Sequence, residues 1–469
     1  MWDPVDNTFI EVGNESGLFC SGHSALADGR ILVAGGHEES GDGIRDTNIF
    51  NPSTNVWEAV PDMSQPRWYP SVTTLNNGNA VAISGAGNAS IPWADIPEIY
   101  HPDTNTWTEL SGVNTSDMHD PMYPHPYVLP DGTLYVISPT LGIVRKLDVD
   151  NQTWTTLTDS PILHGTSVMY DIGKFMVSGG GLSESAQAEN DTAVIDMNSP
   201  APSWRTTTQM AYRRYHHNLV VLPDGKVLAV GGATVIDKMA MGGTLPAELW
   251  DPVTETWSAM DSMTDGRMYH SVALLMPDGR VLSAGGGRFG TATNYFSAQY
   301  YKPPYLFKGT RPTITNITNP IQYNSTMTID TPDANDISSV SLISLASVTH
   351  TIDMDQRFLK LGFTKNATSL TVNTPANSNI VTPGYYMVFI LNSNGVPSVA
   401  KIIQIESPSQ PSPTPTPSPT PTPTVAPSGS LVASYSFSEN SGLTAGDSSG
   451  NSNNGSISNA TWNTGGKYG

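Results

Sequence analysis

Cys20, Tyr69, Tyr269, His270 and His350 are scattered over most of a 469-residue chain, and their side chains could do metal and redox chemistry together. Cys20 is the single cysteine, so no internal disulfide is open to it. His350 ends an apolar, strand-like run in "SVTHTIDMDQR" (347–357), with Asp353, Asp355 and Arg357 following closely. Two imidazoles and two phenols make an N/O donor set. Imidazole suits Cu(II), whose preferred sites are tetragonal with N and O ligands. The closely spaced HExxH and CxxC patterns of zinc sites do not occur. A free phenol titrates near 10, so a tyrosine needs a bound cation to ionise at neutral pH. Taken singly, each residue has a blander role: a packed tyrosine, a strand-end histidine, a small buried thiol. A shared location is what would raise them to a site.

That location follows from a repeat. One half reads "HSALADGRILVAGG" (23–36), "YPSVTTLNNGNAVAISG" (69–85), "HPYVLPDGTLYVIS" (125–138), "HGTSVMYDIGKFMVSGG" (164–180), "HHNLVVLPDGKVLAVGG" (216–232) and "HSVALLMPDGRVLSAGG" (270–286). Each is an apolar strand, usually a D-G or N-G turn, and a second strand ending in small residues, the pattern of a tight hairpin. The other half, such as "FNPSTNVW" (50–57) and "WDPVTETW" (250–257), leads through a polar turn to a closing aromatic. Trp57, Trp107, Trp154, Trp204 and Trp257 recur every 47–53 residues. Four strands in about 50 residues is the period of a kelch-type β-propeller blade. These tryptophans read as blade packing. Six inner hairpins are visible and the chain opens on an outer half at Trp2, so seven blades are expected, the first incomplete and the natural N-terminus lying upstream.

In a propeller, residues at one phase on different blades converge on the axis. Tyr69 stands twelve residues after Trp57, Tyr269 twelve after Trp257, and Cys20 eleven after Phe9. Cys20, Tyr69, Tyr269 and His270 are therefore expected on one face of the hub, with Cys20 and Tyr69 on consecutive blades. His164 and His216 share this phase, but the repeat alone accounts for them, as it does for His23, His125 and His217.

The expected class is all-β: a seven-bladed propeller over 1–308 and an Ig-like sandwich over 309–406 contributing His350. A Pro/Thr-rich extended linker follows over 407–428, then the opening strands of a truncated laminin-G or concanavalin-like sandwich over 429–469. Asp353, Asp355 and Arg357 are expected to hold the His350 strand against the propeller. The net charge of −20 disfavours nucleic acid and anionic membrane as partners. No apolar run approaches a membrane span.

The motifs "LFCSGHS" (18–24), "RWYPS" (67–71), "RMYHS" (267–271) and "SVTHTIDMDQR" (347–357) resemble those of the copper radical oxidases, the galactose oxidase and glyoxal oxidase family. The resemblance covers about residues 1–405, and "RWYPS" with "DPMYPHPYVLPDG" leans towards the glyoxal oxidase-like branch. It implies one copper ion held by Tyr69, Tyr269, His270 and His350. It also implies a thioether joining Cys20 to Tyr69 that carries a radical, and Tyr269 as the axial base. The implied reaction oxidises a primary alcohol or small aldehyde and turns O2 into hydrogen peroxide. A ring that shields the linked tyrosine, often found eighteen residues further on, falls here on Gly87. Trp93 is a candidate for that ring; the alternative is that none covers Tyr69.

Two functions follow from this reading. The first is a secreted, monomeric copper radical oxidase acting on a small-molecule or glycan substrate, its C-terminal module addressing a glycan surface. The alternative is a non-catalytic extracellular propeller for carbohydrate binding or adhesion. N-glycosylation sequons, such as Asn14 and Asn316, are compatible with secretion.

Overall fold

The structure, a computed structural model, describes residues 1–4, 6–38, 41–120, 123–182, 187–234, 243–287, 293–407, 435, 441–449 and 451–458. It divides into two units, Met1–Pro408 and Ser409–Gly469. In the second, a short antiparallel ladder joins Thr444–Ala445 to Gly455–Ser456. Apart from residue 407, the expected linker lies outside the described residues.

Among the described residues the first unit is all-β apart from three short 3-10 turns. Its N-terminal part holds antiparallel sheets built in chain order. Their first strands are Gly22–Ala25, Ser71–Thr74, His125–Val128, Thr166–Asp171, Tyr215–Val221 and Ser271–Leu275. Five sheets have four strands and the last has three. A separate ladder pairs Trp2–Asp3 with Thr8–Phe9, and Trp2 stacks on Tyr300 of the last sheet. Buried clusters draw on consecutive sheets. Leu26 and Leu32 of the first pack with Val72 and Tyr100 of the second, and Leu75 and Val81 of the second with Leu134 and Leu147 of the third. The closing tryptophans Trp107, Trp154, Trp204 and Trp257 lie against these clusters, as the repeat predicts.

A buried arginine leads into the first strand of three sheets. Arg67, Arg214 and Arg267 are all 0% exposed. Arg67 donates to the carbonyls of Ser84 at 2.8 Å and Ile96 at 2.6 Å, and to Glu98 at 2.9 Å. Arg214 repeats the pattern with Gly231 O at 2.7 Å and Glu248 at 2.9 Å. The arginines' own carbonyls accept from the preceding sheet: Gly36 N to Arg67 O at 2.9 Å, Gly180 N to Arg214 O at 2.9 Å, and Gly232 N to Arg267 O at 2.6 Å. The small residues ending each second strand are needed for this approach. A Cβ on Gly231, whose φ is +73°, would lie 2.3 Å from Arg267 O.

Beyond residue 310 two four-stranded sheets enclose a second core of Ile329, Val340, Leu342, Leu370, Val388 and Ile403. One runs Asn316–Ile317, Thr326–Asp330, Ser369–Asn373, Phe363–Lys365. The other runs Phe358–Leu361, Ile337–Ser344, Gly384–Asn392, Lys401–Ile405. Between Ser344 and Phe358 the chain leaves this sandwich as a small hairpin, Val348–Thr349 paired with Ile352–Asp353.

Arg214→Met strands the fully buried Glu248 carboxylate. The expected loss is about 3–5 kcal/mol of unfolding free energy, read from urea denaturation. Arg214→Met/Glu248→Gln recovers most of it, because no buried charge is left unpaired. A single-variant loss under about 1 kcal/mol contradicts the role given to this pair.

Candidate metal and redox centre

The four residues singled out by phase and His350 meet in one place. Tyr69 Oη lies 2.6 Å from Tyr269 Oη. Cys20 Sγ lies 3.6 Å from His350 Nε2. One ligand atom from each of Cys20, His270 and His350 fits within 4.8 Å of the others. The Cys20 thiol and the Tyr69 hydroxyl are within hydrogen-bond reach, and Tyr69 N donates to Cys20 O at 3.0 Å. The rings close round the same point. The His270 and His350 centroids are 4.7 Å apart and nearly perpendicular, and Tyr269 lies 5.2 Å from His350.

The backbone explains how strands deliver these side chains. Cys20, Tyr69 and His270 have φ of 59°, 61° and 66°, just before the first strands of three sheets. Left-handed backbone is costly for residues with a Cβ and clusters where the surrounding structure over-determines it. His350 reaches the centre differently. Val348 pairs with Asp353 and Thr349 with Ile352, so His350 and Thr351 form a two-residue turn with φ of 46° and 75°. Positive φ at both central residues is what a tight hairpin turn requires.

That hairpin is a finger inserted among the first strands. Ala25 N donates to Asp355 Oδ2 at 2.7 Å, Thr73 Oγ1 to Met354 O at 2.7 Å, Met169 N to Gln356 Oε1 at 2.6 Å, and Arg357 Nη1 to Val128 O at 2.9 Å. Four sheets thus grip one segment. Asp353 accepts from Ser347 N at 2.9 Å and Asp355 N at 3.2 Å, which stiffens the base of the finger. Asp353, Asp355 and Arg357 are structural supports, as their sequence position suggests.

The donor set fits a cation that favours N and O ligands. His270 Nδ1 lies 3.0 Å from Gly287 O and His350 Nδ1 2.7 Å from Thr349 Oγ1, contacts that orient both rings. Burial holds the Tyr69 phenol far above its ordinary value, reinforced by Tyr269 and Cys20 beside it. Burial likewise pushes the Cys20 thiol up and holds His350 well below the usual imidazole range. A cation would supply the charge that ionised phenols need.

Three aromatic residues escaped the sequence reading. Trp68 stacks on Tyr69 at 4.9 Å and 26°. Trp93 does not cover Tyr69; it stacks on His119 at 4.8 Å and 6°. The shield thus comes from the residue immediately before the tyrosine, because positive φ at Tyr69 folds its neighbour back over it. Fully buried Tyr123 meets both Tyr69 and His350, at 5.2 and 4.9 Å, and donates to Ser21 O at 3.1 Å. Phe19, 54% exposed, packs edge-on against His270 at 5.6 Å.

Asp353 gives the finger a pH signature. Burial first, and Asp355 second, raise its carboxyl from 3.8 to about 7. Between those values the folded state holds a proton that the unfolded state has lost, so this group lowers stability as pH rises. Asp353→Asn keeps an acceptor for both N–H groups and removes that loss. Its stability relative to the parent should therefore climb from pH 4 to about 7 and then level off, measured by urea midpoints. A difference that stays flat with pH contradicts the burial of this carboxyl.

Comparison with known proteins places the chain. Residues 1–303 match the family described as glyoxal oxidase N-terminus, and residues 311–405 match the galactose oxidase-like early set domain. A galactose oxidase of Gibberella zeae is 30% identical over 446 residues, covering 86% of this chain and 63% of that protein. An aldehyde oxidase GLOX of Vitis pseudoreticulata is 27% identical, covering 82% of each. A fungal alcohol oxidase of the AA5 family, solved in complex with copper, superposes with a TM-score of 0.75 at 30% identity, over 83% of this chain and 85% of that one. The chain belongs to the glyoxal oxidase N-terminal family.

Proposed function

We propose that this family member is a copper radical oxidase that converts a primary alcohol or small aldehyde to the next oxidation state and O2 to hydrogen peroxide. The observation that carries the reading is the convergence of Tyr69, Tyr269, His270 and His350 on one point, with Cys20 against Tyr69. In it, Tyr69, Tyr269, His270 and His350 hold copper, and Cys20 is joined to Tyr69 by a thioether. Copper supplies a one-electron acceptor and the cation that lets phenols ionise.

The chain's own residues then divide the work. Tyr269, as phenolate, takes the hydroxyl proton of the substrate. Tyr69, as a phenoxyl radical extended by sulphur, would take a hydrogen atom from the carbon bearing that hydroxyl, and bound copper would accept the second electron. Trp68 covers the Tyr69 ring and keeps water from it. His270 and His350 keep their positions through Gly287 and the finger. The names of the relatives, a galactose oxidase, aldehyde oxidases and an alcohol oxidase, support both substrate types. The same reading takes the scaffold as seven-bladed, divides the chain after residues 308, 406 and 428, and places the protein outside the cell as a monomer. Among the described residues no helix is long and apolar enough to cross a membrane.

The test is peroxide release from aldehydes and primary alcohols by protein loaded with one equivalent of copper. Tyr269→Phe should retain copper and lose about 10²–10⁴-fold in kcat, the usual worth of a positioned base. Copper binding without peroxide from any such substrate contradicts the proposal.

A further inference from the structure

A cleft of about 410 Å³, within the size range of ligand sites, opens away from the candidate metal centre. Asp171 and Gly225 belong to one wall. Asp171 ends the first strand Thr166–Asp171, and Gly225 lies in the turn after the first strand Tyr215–Val221. Cys20, Tyr69 and His270 stand before their first strands, at the other end. About a strand's length, roughly 17 Å for Thr166–Asp171, therefore separates cleft from centre. The opposite wall is Phe358, Leu359 and Lys360 of the sandwich.

Successive side chains of a strand point to opposite faces, so three consecutive residues on one wall mean that the strand's edge is turned to the cleft. Phe358–Leu361 is an edge strand, paired on one side with Ile337–Ser344. The register shows which of its backbone groups are used. Ser344 N donates to Arg357 O at 3.1 Å, and ladder bonds recur at every second pair. Leu359 and Leu361 therefore bond to Leu342 and Val340, and the N–H and C=O groups of Phe358 and Lys360 turn outward. Among the described residues nothing pairs with these four groups. Six charged side chains line the cleft around them. Lys174 is paired with Asp171 at 3.3 Å and Arg205 with Glu255, and Asp196 accepts from Asn198 N at 2.9 Å. Lys360, which is exposed, alone of the six has no ion pair or side-chain hydrogen bond among the described residues.

We infer that this edge binds an extended peptide segment of a partner protein, added as a fifth strand beside Phe358–Leu361 with an acidic side chain next to Lys360. One N–H and one C=O on a residue, repeated two residues and about 7 Å along, are complementary to another strand. A sugar or a small ion offers no such repeat. Strand addition takes its affinity from the main chain and its selectivity from the flanking side chains. A second copy of this chain is a poorer occupant. Edge-to-edge pairing would bring two Lys360 side chains together, and charged edge residues are a usual guard against self-pairing. An acidic segment turns that repulsion into attraction. The segment leaves the metal centre open, because the two sites lie at opposite ends of the strands. The inference does not depend on the oxidase reading.

The experiment selects octapeptides from a random phage-displayed library on the full chain and measures the enriched ones as capped synthetic peptides. They should carry Asp or Glu, and they should slow hydrogen exchange at the Lys360 amide. Lys360→Pro removes an outward N–H and no ladder bond, so the thermal midpoint should hold while peptide affinity falls about tenfold or more. Lys360→Ala keeps the N–H and loses only the exposed charge, so its loss should stay below about fivefold. N-methylation of the peptide should abolish binding at alternate residues and be tolerated between them, as one edge of a strand requires. Peptides that bind Lys360→Pro as well as the parent overturn the inference. So does a selection that enriches no peptide protecting Lys360, or a dimer of this chain formed through the same edge.

Discussion

The centre depends on backbone held left-handed at the turn before a sheet's first strand. Strands alone would send successive side chains to alternate faces and deliver none of them to a common point. The buried arginines secure these turns. Each guanidinium ties the carbonyls of its own sheet, and its carbonyl takes an N–H from the sheet before. One residue therefore fixes both the shape of the turn and the spacing of neighbouring sheets. Tyr69 follows Arg67, and Tyr269 and His270 follow Arg267, by two or three positions, so any slack in the arginine would be felt directly at the phenols.

The finger from the second core supplies the remaining ligand candidate. It is a second constraint of the same kind: a two-residue turn with both φ positive, its flanks bonded to four different sheets. Hydrogen bonds from Ala25, Thr73 and Met169, and one from Arg357 to Val128, hold eleven residues of sequence, while Ile352 and Met354 are almost wholly buried. His350 can thus be placed within reach of Cys20 without being part of the repeat that positions Cys20. The sandwich acts as the anchor of a rigid arm, and that is the physical reason for the two cores to occur on one chain.

Much of this was legible in the sequence because a repeat converts linear phase into spatial position. The D-G turns, the closing tryptophans and the spacing of Cys20, Tyr69 and Tyr269 sufficed to bring those side chains together on paper. The sheets, the sandwich and the supporting role of Asp353, Asp355 and Arg357 followed the same logic. What spacing hides is the sign of φ. The resemblance put the covering ring eighteen residues on, with Trp93 as a candidate; beside Tyr69, whose φ is 61°, it is Trp68, the adjacent residue. The carboxylate partners of Arg67 and Arg214 lie 31 and 34 residues away, beyond what local spacing shows.

The central claim is that Cys20 and Tyr69 become one redox group when copper is bound. The most direct test is peptide mass spectrometry of the protein before and after aerobic copper loading. The account predicts the loss of two hydrogens, on a product in which the Cys20 peptide is joined to the Tyr69 peptide, formed only with copper. Copper bound at full stoichiometry with Cys20 still an alkylatable thiol would contradict it, and would leave the chain a scaffold that binds rather than one that oxidises.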